Sequence, residues 1–225
     1  MKAIVKRKYG GPEVLSLQEV EKPSPGDHEI LVQVKANSAN PADWHVIRGK
    51  PYFARLSFGL FKPSKIIAGS DFSGIVEAVG KEVVHFKAGD RVFGESLAGG
   101  AFAEYICLKA QHCGHMPDAA AFADMAGLPI AGLTALQGVL EHGKLKKGES
   151  VLINGASGGV GHLAVQMAHA HGGSVTGVCS AKNAIFVESL GAERVIAYDQ
   201  EHIHTHNGRY DLVIDIHAIL SFKDF

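Results

Sequence analysis

Val151-Leu-Ile-Asn-Gly-Ala-Ser-Gly-Gly-Val-Gly-His162 is the stretch whose reading decides the fold of this chain. A short apolar run ends in a glycine-rich turn, and a helical pattern begins at once. Val160, Leu163, Ala164, Met167 and Ala168 fall on one face of that helix. This is how a parallel sheet presents a helix N-terminus to a phosphate. Gly158 and Gly161 stand at the second and third glycines of a G-x-G-x-x-G dinucleotide fingerprint, with Ala156 in place of the first. Gly158 lets the backbone approach a pyrophosphate, and Gly161 lets helix and strand pack closely. Free N–H groups of the first helical turn and the helix dipole would hold the anion. Ala156, Ser157, Gly158, Gly159, Val160 and Gly161 are therefore the candidate cofactor-binding loop. A Walker loop is excluded, because His162-Leu163 follows the last glycine where Lys-Ser/Thr would be needed.

Working outward, Ser174–Cys179 reads as a second strand, and Ala184–Leu190 as a helix stopped by Gly191. Arg194–Ala197 and Asp211–Asp215 are the third and fourth strands. Strand and helix alternating at these lengths mean a right-handed parallel α/β unit. Upstream, Ala119–Leu128 and Ile130–His142 carry helical spacing, with Gly143 as the C-cap. The first third is instead β-rich. Ile4-Val5, His28–Lys35, Gly74–Gly80, Asp90–Phe93 and Ala101–Leu108 read as strands separated by polar turns, which predicts a compact barrel or sandwich. Asn40-Pro41-Ala42-Asp43 is a helix start, with Asn40 as N-cap, worth about 1 kcal/mol, and Asp43 a first-turn charge. Tyr52–Pro63 is aromatic, apolar and basic without a period, and reads as a loop over a cleft.

Composition narrows the function classes. The 225 residues are 46% hydrophobic and 20% charged, ordinary values for a soluble protein with one or two domains. A net charge of −1 offers nothing to nucleic acid or an anionic membrane, and no apolar run is long enough to cross a bilayer. Three cysteines, Cys107, Cys113 and Cys179, argue against a disulfide framework and for a reducing compartment, with the cytoplasm as the expected one. The thirteen histidines include His112-Cys-Gly-His115 and His202-Ile-His-Thr-His206, neither with a second ligand group at metal-site spacing.

Several segments together resemble the medium-chain dehydrogenase/reductase superfamily, in its zinc-independent, quinone-oxidoreductase-like branch of the zeta-crystallin type. They are Asn40–Asp43, Gly69-Ser-Asp-Phe-Ser-Gly74, Val79-Gly80, Gly89-Asp-Arg-Val92, Thr134-Ala-Leu136, Gly155–Gly161 and Ser189-Leu-Gly-Ala192. Each alone is weak; their order and spacing are specific. The resemblance implies an α/β chain: a GroES-like β-rich catalytic domain over residues 1–122, then a Rossmann domain over 123–225, with the cofactor between them. Full-length members continue further, so the doubly wound parallel sheet is expected to be incomplete at its C-terminal side. Leu212-Val-Ile214 would then be an uncovered edge, and self-association as a homo-oligomer or marginal stability is the expected consequence.

Zinc-dependent members carry a catalytic Cys, a Gly-His-Glu segment and a lobe of four cysteines. Here those places read Asn40, Gly69-Ser70-Asp71 and no cluster, so no metal is expected. A substrate carbonyl would then be polarised by hydrogen bonds, which suits a quinone or an α,β-unsaturated carbonyl. The turn after the second strand reads Cys179-Ser-Ala-Lys-Asn183, without the acid that binds a ribose diol. Ser180 and Lys182 suit a 2′-phosphate, the resemblance adds Tyr198, and NADP(H) is the expected cofactor. Asn40, Tyr52 and Thr134 are the candidates around the reacting centre, although each also has a plain structural explanation. The expected function is hydride transfer from NADPH to a quinone or enone. A zinc-independent alcohol dehydrogenase and a non-catalytic NADPH-binding or assembly protein are the rivals.

Overall fold

The computed structural model describes residues 1–97, 99–201 and 209–216. His202, His204, His206 and the Ser221–Phe225 terminus lie outside the described residues. The chain divides into two compact units, Met1–Ile130 and Ala131–Phe225.

The first unit is built on antiparallel pairing. Strands β1 (Lys2–Lys6) and β2 (Leu15–Glu19) form a two-stranded sheet. The main sheet comprises β3 (Glu29–Ser38), β4 (Asp71–Val79), β5 (Arg91–Glu95), β6 (Tyr105–Lys109) and β7 (Cys113–His115), in the order β6-β3-β4-β5-β7. Ile30 and Val32 of β3, two residues apart and so on one face, enter a core with Phe72, Val76, Val92, Ile106 and Leu108. Helix α1 (Pro41–Arg48) follows β3; Asn40 is its N-cap, Pro41 opens it and Gly49, at φ 60°, closes it. Tyr52–Phe58, expected as a loop, contains a 3₁₀ turn, Tyr52–Ala54, and a short helix α2, Arg55–Phe58, stopped by Gly59 at φ 113°. Its aromatic residues keep no apolar stripe because most of them face solvent.

Helix α3 (Phe122–Ala126) packs on β3 and β4, and the Ser73 hydroxyl donates to the Phe122 carbonyl at 2.6 Å. This pinning carries the first compact unit past residue 122, to Ile130.

In the second unit, β8 (Ser150–Asn154), β9 (Ser174–Cys179), β10 (Arg194–Ala197) and β11 (Leu212–Asp215) form one parallel sheet in the order β10-β9-β8-β11. Val151, Leu152 and Ile153 are all buried, because β8 is covered on both faces. Val151 and Ile153 meet Ala164, Val165 and Ala168 of helix α5 (Gly159–Ala170) and Val187 of helix α6 (Ala184–Ser189). Leu152 points the other way, onto Val178 and Ile196. Each such side chain contributes about 1.5–3 kcal/mol by burial. Helix α4 (Pro129–Leu136) runs into a π-helical turn, Gln137–Glu141, and contributes Ala135 and Val139 to the α5 side of the core.

Counted from β8, the strand order is 3-2-1-4, the order of a Rossmann half-sheet. The order reverses at β8, and ligands of open α/β sheets bind beyond the carboxyl ends of the strands at such a switch point. The glycine loop leaves β8 at that end. Among the described residues no helix is long and apolar enough to cross a membrane.

Candidate functional site

The strand-to-helix turn is made by Gly155, at φ 83°, a conformation that a residue with a Cβ adopts only at a cost. The tight turn is thus made one residue before Ala156, the position of the fingerprint's first glycine. Ala156 is fully buried, and its N–H donates to the Val178 carbonyl at 2.9 Å, beside the Gly155 N–H at 3.1 Å. A Cβ on Gly161 would lie 2.0 Å from the Gly155 carbonyl oxygen and 2.8 Å from the Ala156 Cα, so helix and loop touch where only glycine fits. Gly158 is the N-cap of α5 and makes no side-chain cap. The first bond of the helix runs from the His162 N–H to the Gly158 carbonyl at 3.0 Å, which leaves the N–H groups of Gly159, Val160 and Gly161 ahead of the ladder. Gly158 and Gly159 are exposed, and a Cβ at Gly159 would meet nothing within 4 Å. The loop thus combines a closed underside with an open, donor-rich upper side, and a pyrophosphate fits it.

The turn beyond β9 is tied to this loop. Asn183 donates from its side-chain amide to the Ser157 hydroxyl at 3.1 Å and to the Ser180 hydroxyl at 3.3 Å. Ser180 is only 9% exposed, whereas Lys182 is exposed and Tyr198 is 60% exposed. The Tyr198 N–H donates to the Cys179 carbonyl at 3.1 Å, which places the Tyr198 backbone next to the residue preceding Ser180. Asp199 adds a carboxylate to the same turn, accepting from the Ala181 N–H at 2.8 Å. Sequence reading gave no role to Asn183 or Asp199. The first sits inside the quoted turn and the second beside Tyr198, but a bridging hydrogen bond leaves no periodic signal.

In the first unit, Asn40 belongs to a buried polar network. The Asp43 carboxylate accepts from the Asn40 N–H at 2.7 Å and from the Ser70 hydroxyl at 2.6 Å. The Asn40 amide donates to Asp71 at 3.0 Å and to the Ser38 hydroxyl at 3.3 Å. Asp71 also accepts from the Ile130 N–H at 3.2 Å, at the start of α4. Both donors of the amide are thereby turned inward, while the Asn40 side chain accepts from the Asp43 N–H in a capping box with the Asp43 carboxylate. Burial pushes the Asp71 carboxyl up to about 6, against the pull of the Ile130 N–H and the Asn40 amide; the nearby Asp43 and Glu95 charges raise it further. Lys6 is fully buried and donates from its ammonium to the Lys65 carbonyl at 3.0 Å, and burial lowers its pKa against the attraction of Asp43.

Tyr52 stands apart from this network. It is 65% exposed, with the Arg55 guanidinium 4.9 Å and the Lys50 ammonium 5.7 Å from its ring. Thr134 lies on the exposed side of α4, within the second unit. The His112 and His115 rings are engaged structurally: His112 pairs with Glu95 at 3.2 Å, and His115 bonds the His85 carbonyl at 3.0 Å while stacking on Phe86. Burial raises all three thiols, Cys107 and Cys113 to about 12, so none is a ready nucleophile.

Residues 26–118 match the family described as alcohol dehydrogenase GroES-like domain, and residues 159–223 match that described as zinc-binding dehydrogenase. A chloroplast envelope quinone oxidoreductase homolog of Arabidopsis thaliana is 37% identical over 208 residues, covering 88% of this chain and 61% of the relative. The chain spans about three fifths of the length of the curated relatives it matches. Among solved structures, the quinone oxidoreductase from Coxiella burnetii superposes with a TM-score of 0.86 at 37% identity, over 96% of this chain and 68% of that one. The Escherichia coli quinone oxidoreductase complexed with NADPH gives 0.77 at 31% identity, over 91% of this chain and 61% of that one. With these matches lying over the sheet order and glycine loop described above, the chain belongs to the medium-chain dehydrogenase/reductase family and is similar to that family's quinone oxidoreductases.

Proposed function

We propose that this chain carries out NADPH-dependent, zinc-independent reduction of a quinone or an α,β-unsaturated carbonyl. The observation that carries the reading is the loop from Gly155 to Gly161, open above Gly158 and Gly159, joined through Asn183 to the Ser180 turn. The N–H groups of Gly159, Val160 and Gly161 would hold the pyrophosphate, with Ala156 and Ser157 shaping the loop beneath them. Ser180, Lys182 and Tyr198 would hold the 2′-phosphate. When bound, the nicotinamide supplies the hydride, which with one proton from solvent or a hydroxyl converts a quinone to a hydroquinone or saturates an enone.

The residues of the chain supply position and polarisation. The Asn40 amide is locked, with its donors on Asp71 and Ser38 and its side chain accepting from the Asp43 N–H, so it keeps no donor for a substrate. A substrate carbonyl therefore takes its hydrogen bond from a hydroxyl, and Tyr52 and Thr134 are the candidates for that task. Zinc independence is supported by the donors present at the ligand positions. Asn40, Ser70 and Asp71 offer no thiolate or imidazole, and the Asp71 oxygens are engaged by Asn40 and Ile130. Three free thiols suit a reducing compartment, with the cytoplasm as the proposed one.

Exchange of Lys182 for alanine tests the assignment. Loss of a charge-assisted phosphate contact should weaken NADPH binding roughly 10- to 100-fold by calorimetric titration and leave NADH nearly unchanged. Equal losses for both nucleotides would remove the phosphate site from Lys182. Oxidation of NADPH across a panel of quinones and enones is expected of the chain itself; saturable binding with no turnover on any of them would make it a binding protein.

A further inference from the structure

The turn after β9 carries no acid in its own sequence, yet a carboxylate reaches it from the neighbouring strand. Strands β9 and β10 are parallel, with Cys179 opposite Ala197, so the residues that follow them emerge side by side. The ladder continues one step as the Tyr198 N–H bonds the Cys179 carbonyl. At the next step a side chain takes over: Asp199 accepts from the Ala181 N–H at 2.8 Å. Ala181 directly follows Ser180 and precedes Lys182, the two residues assigned to the 2′-phosphate. The Asp199 charge is therefore fixed on the backbone of the turn that would receive a dianion.

We infer that Asp199 is a specificity-determining residue that narrows the margin by which this chain favours NADPH over NADH; the inference rests on the cofactor reading above. A 2′-phosphate at Ser180 and Lys182 meets the Asp199 carboxylate as a like charge. Its entry requires Asp199 either to tolerate that repulsion or to leave the Ala181 N–H. A ribose diol does neither. Its hydroxyls donate, and a carboxylate at the end of the neighbouring strand accepts from them as an acid at the end of β9 would. Lys182 and Asp199 thus act in opposite senses on the same phosphate, and the balance between them sets the selectivity.

The test is calorimetric titration of NADPH and NADH into the unmodified chain, D199N and D199S, with melting temperatures recorded alongside. Asparagine keeps an acceptor for the Ala181 N–H and removes only the charge; serine removes both the charge and the reach. Removing one like charge beside the dianion should tighten NADPH binding about tenfold in D199N, with NADH unchanged or weaker. D199S should move the ratio the same way, so the result stands if one variant folds poorly. An unmoved NADPH-to-NADH ratio in a variant that melts like the parent, or a ratio that moves toward NADH, overturns the inference and leaves the cofactor reading intact. Failure of the unmodified chain to bind either nucleotide removes the cofactor reading, and this inference with it.

Discussion

Replacing Gly161 with alanine is expected to cost about 3 kcal/mol of stability in the second unit and to remove measurable NADPH binding. The added methyl would sit 2.0 Å from the Gly155 carbonyl oxygen and 2.8 Å from the Ala156 Cα, and both are backbone atoms with no side-chain torsion to yield. The loop cannot easily retreat. Ala156 is fully buried, and the N–H groups of Gly155 and Ala156 both bond the Val178 carbonyl of β9. Relief must come from α5 lifting off β8, which opens the contacts of Ala164 and Val165 and displaces the N–H groups of the first turn. Alanine is the better helix former by about 1 kcal/mol, a gain too small to offset the clash. The companion exchange Gly159→Ala separates the two effects, because a Cβ there meets nothing within 4 Å. It should keep or slightly raise stability while obstructing the exposed upper side of the loop, so that binding alone suffers. Urea denaturation and calorimetric titration of both variants provide the check. A G161A protein with unchanged stability would mean that helix and loop do not touch as described.

Exchange of Asp71 for asparagine should make the stability of the first unit less dependent on pH, by up to about 3 kcal/mol between pH 4 and pH 8. The carboxyl is fully buried, and its folded pKa of about 6 lies above its usual 3.8. The folded state therefore holds the proton more tightly than the unfolded chain. Its contribution is fully present below the usual value and is lost as pH rises through about 6. An asparagine is neutral throughout, so the variant should gain on the parent as pH rises, whatever fixed difference its altered hydrogen bonds impose. Denaturation curves at several pH values read this directly, and parallel pH profiles for the two proteins would contradict it. The same exchange loosens Asn40, because an amide at position 71 can accept from the Asn40 amide or donate to its oxygen, where the carboxylate permits only the first.

The parallel half of the fold was legible because its signals are local. Val151–Ile153 is a continuous apolar run, Gly155–Gly161 marks the turn, and Ser174–Cys179 and Arg194–Ala197 emerge as strands over the residues expected of them. Asn40 as the N-cap of α1 was equally readable, since capping chemistry is written in four consecutive residues. Other elements left no such mark. Strand β2, Leu15–Glu19, exposes Leu17 and is held by pairing with β1, and β7 is only Cys113–His115. The strand expected over Ala101–Leu108 is regular only from Tyr105, because Ala101 is buried in the core and Ala103 bridges to Ala3.

The site divides in the same way. The loop residues and the Ser180 turn were placed by motif, whereas the Asn40–Asp71 bond joins positions 31 residues apart and the Ala181–Asp199 bond positions 18 apart. Such pairings depend on strand register, which the two segments reveal only after the sheet has formed. Ser70 and Asp71 were singled out because neither is a thiolate or an imidazole. Their role in holding Asn40 and Asp43 follows from burial, which composition alone does not give.

The backbone of the Gly155–Gly161 loop is proposed to hold the cofactor's pyrophosphate. Two-dimensional amide NMR of the isotope-labelled chain during NADPH titration tests it most directly. The predicted result is saturable displacement of the Gly159, Val160 and Gly161 resonances, with those of Ala181 and Lys182 following for NADPH more than for NADH. Saturation by NADPH with the three loop amides unmoved would contradict it.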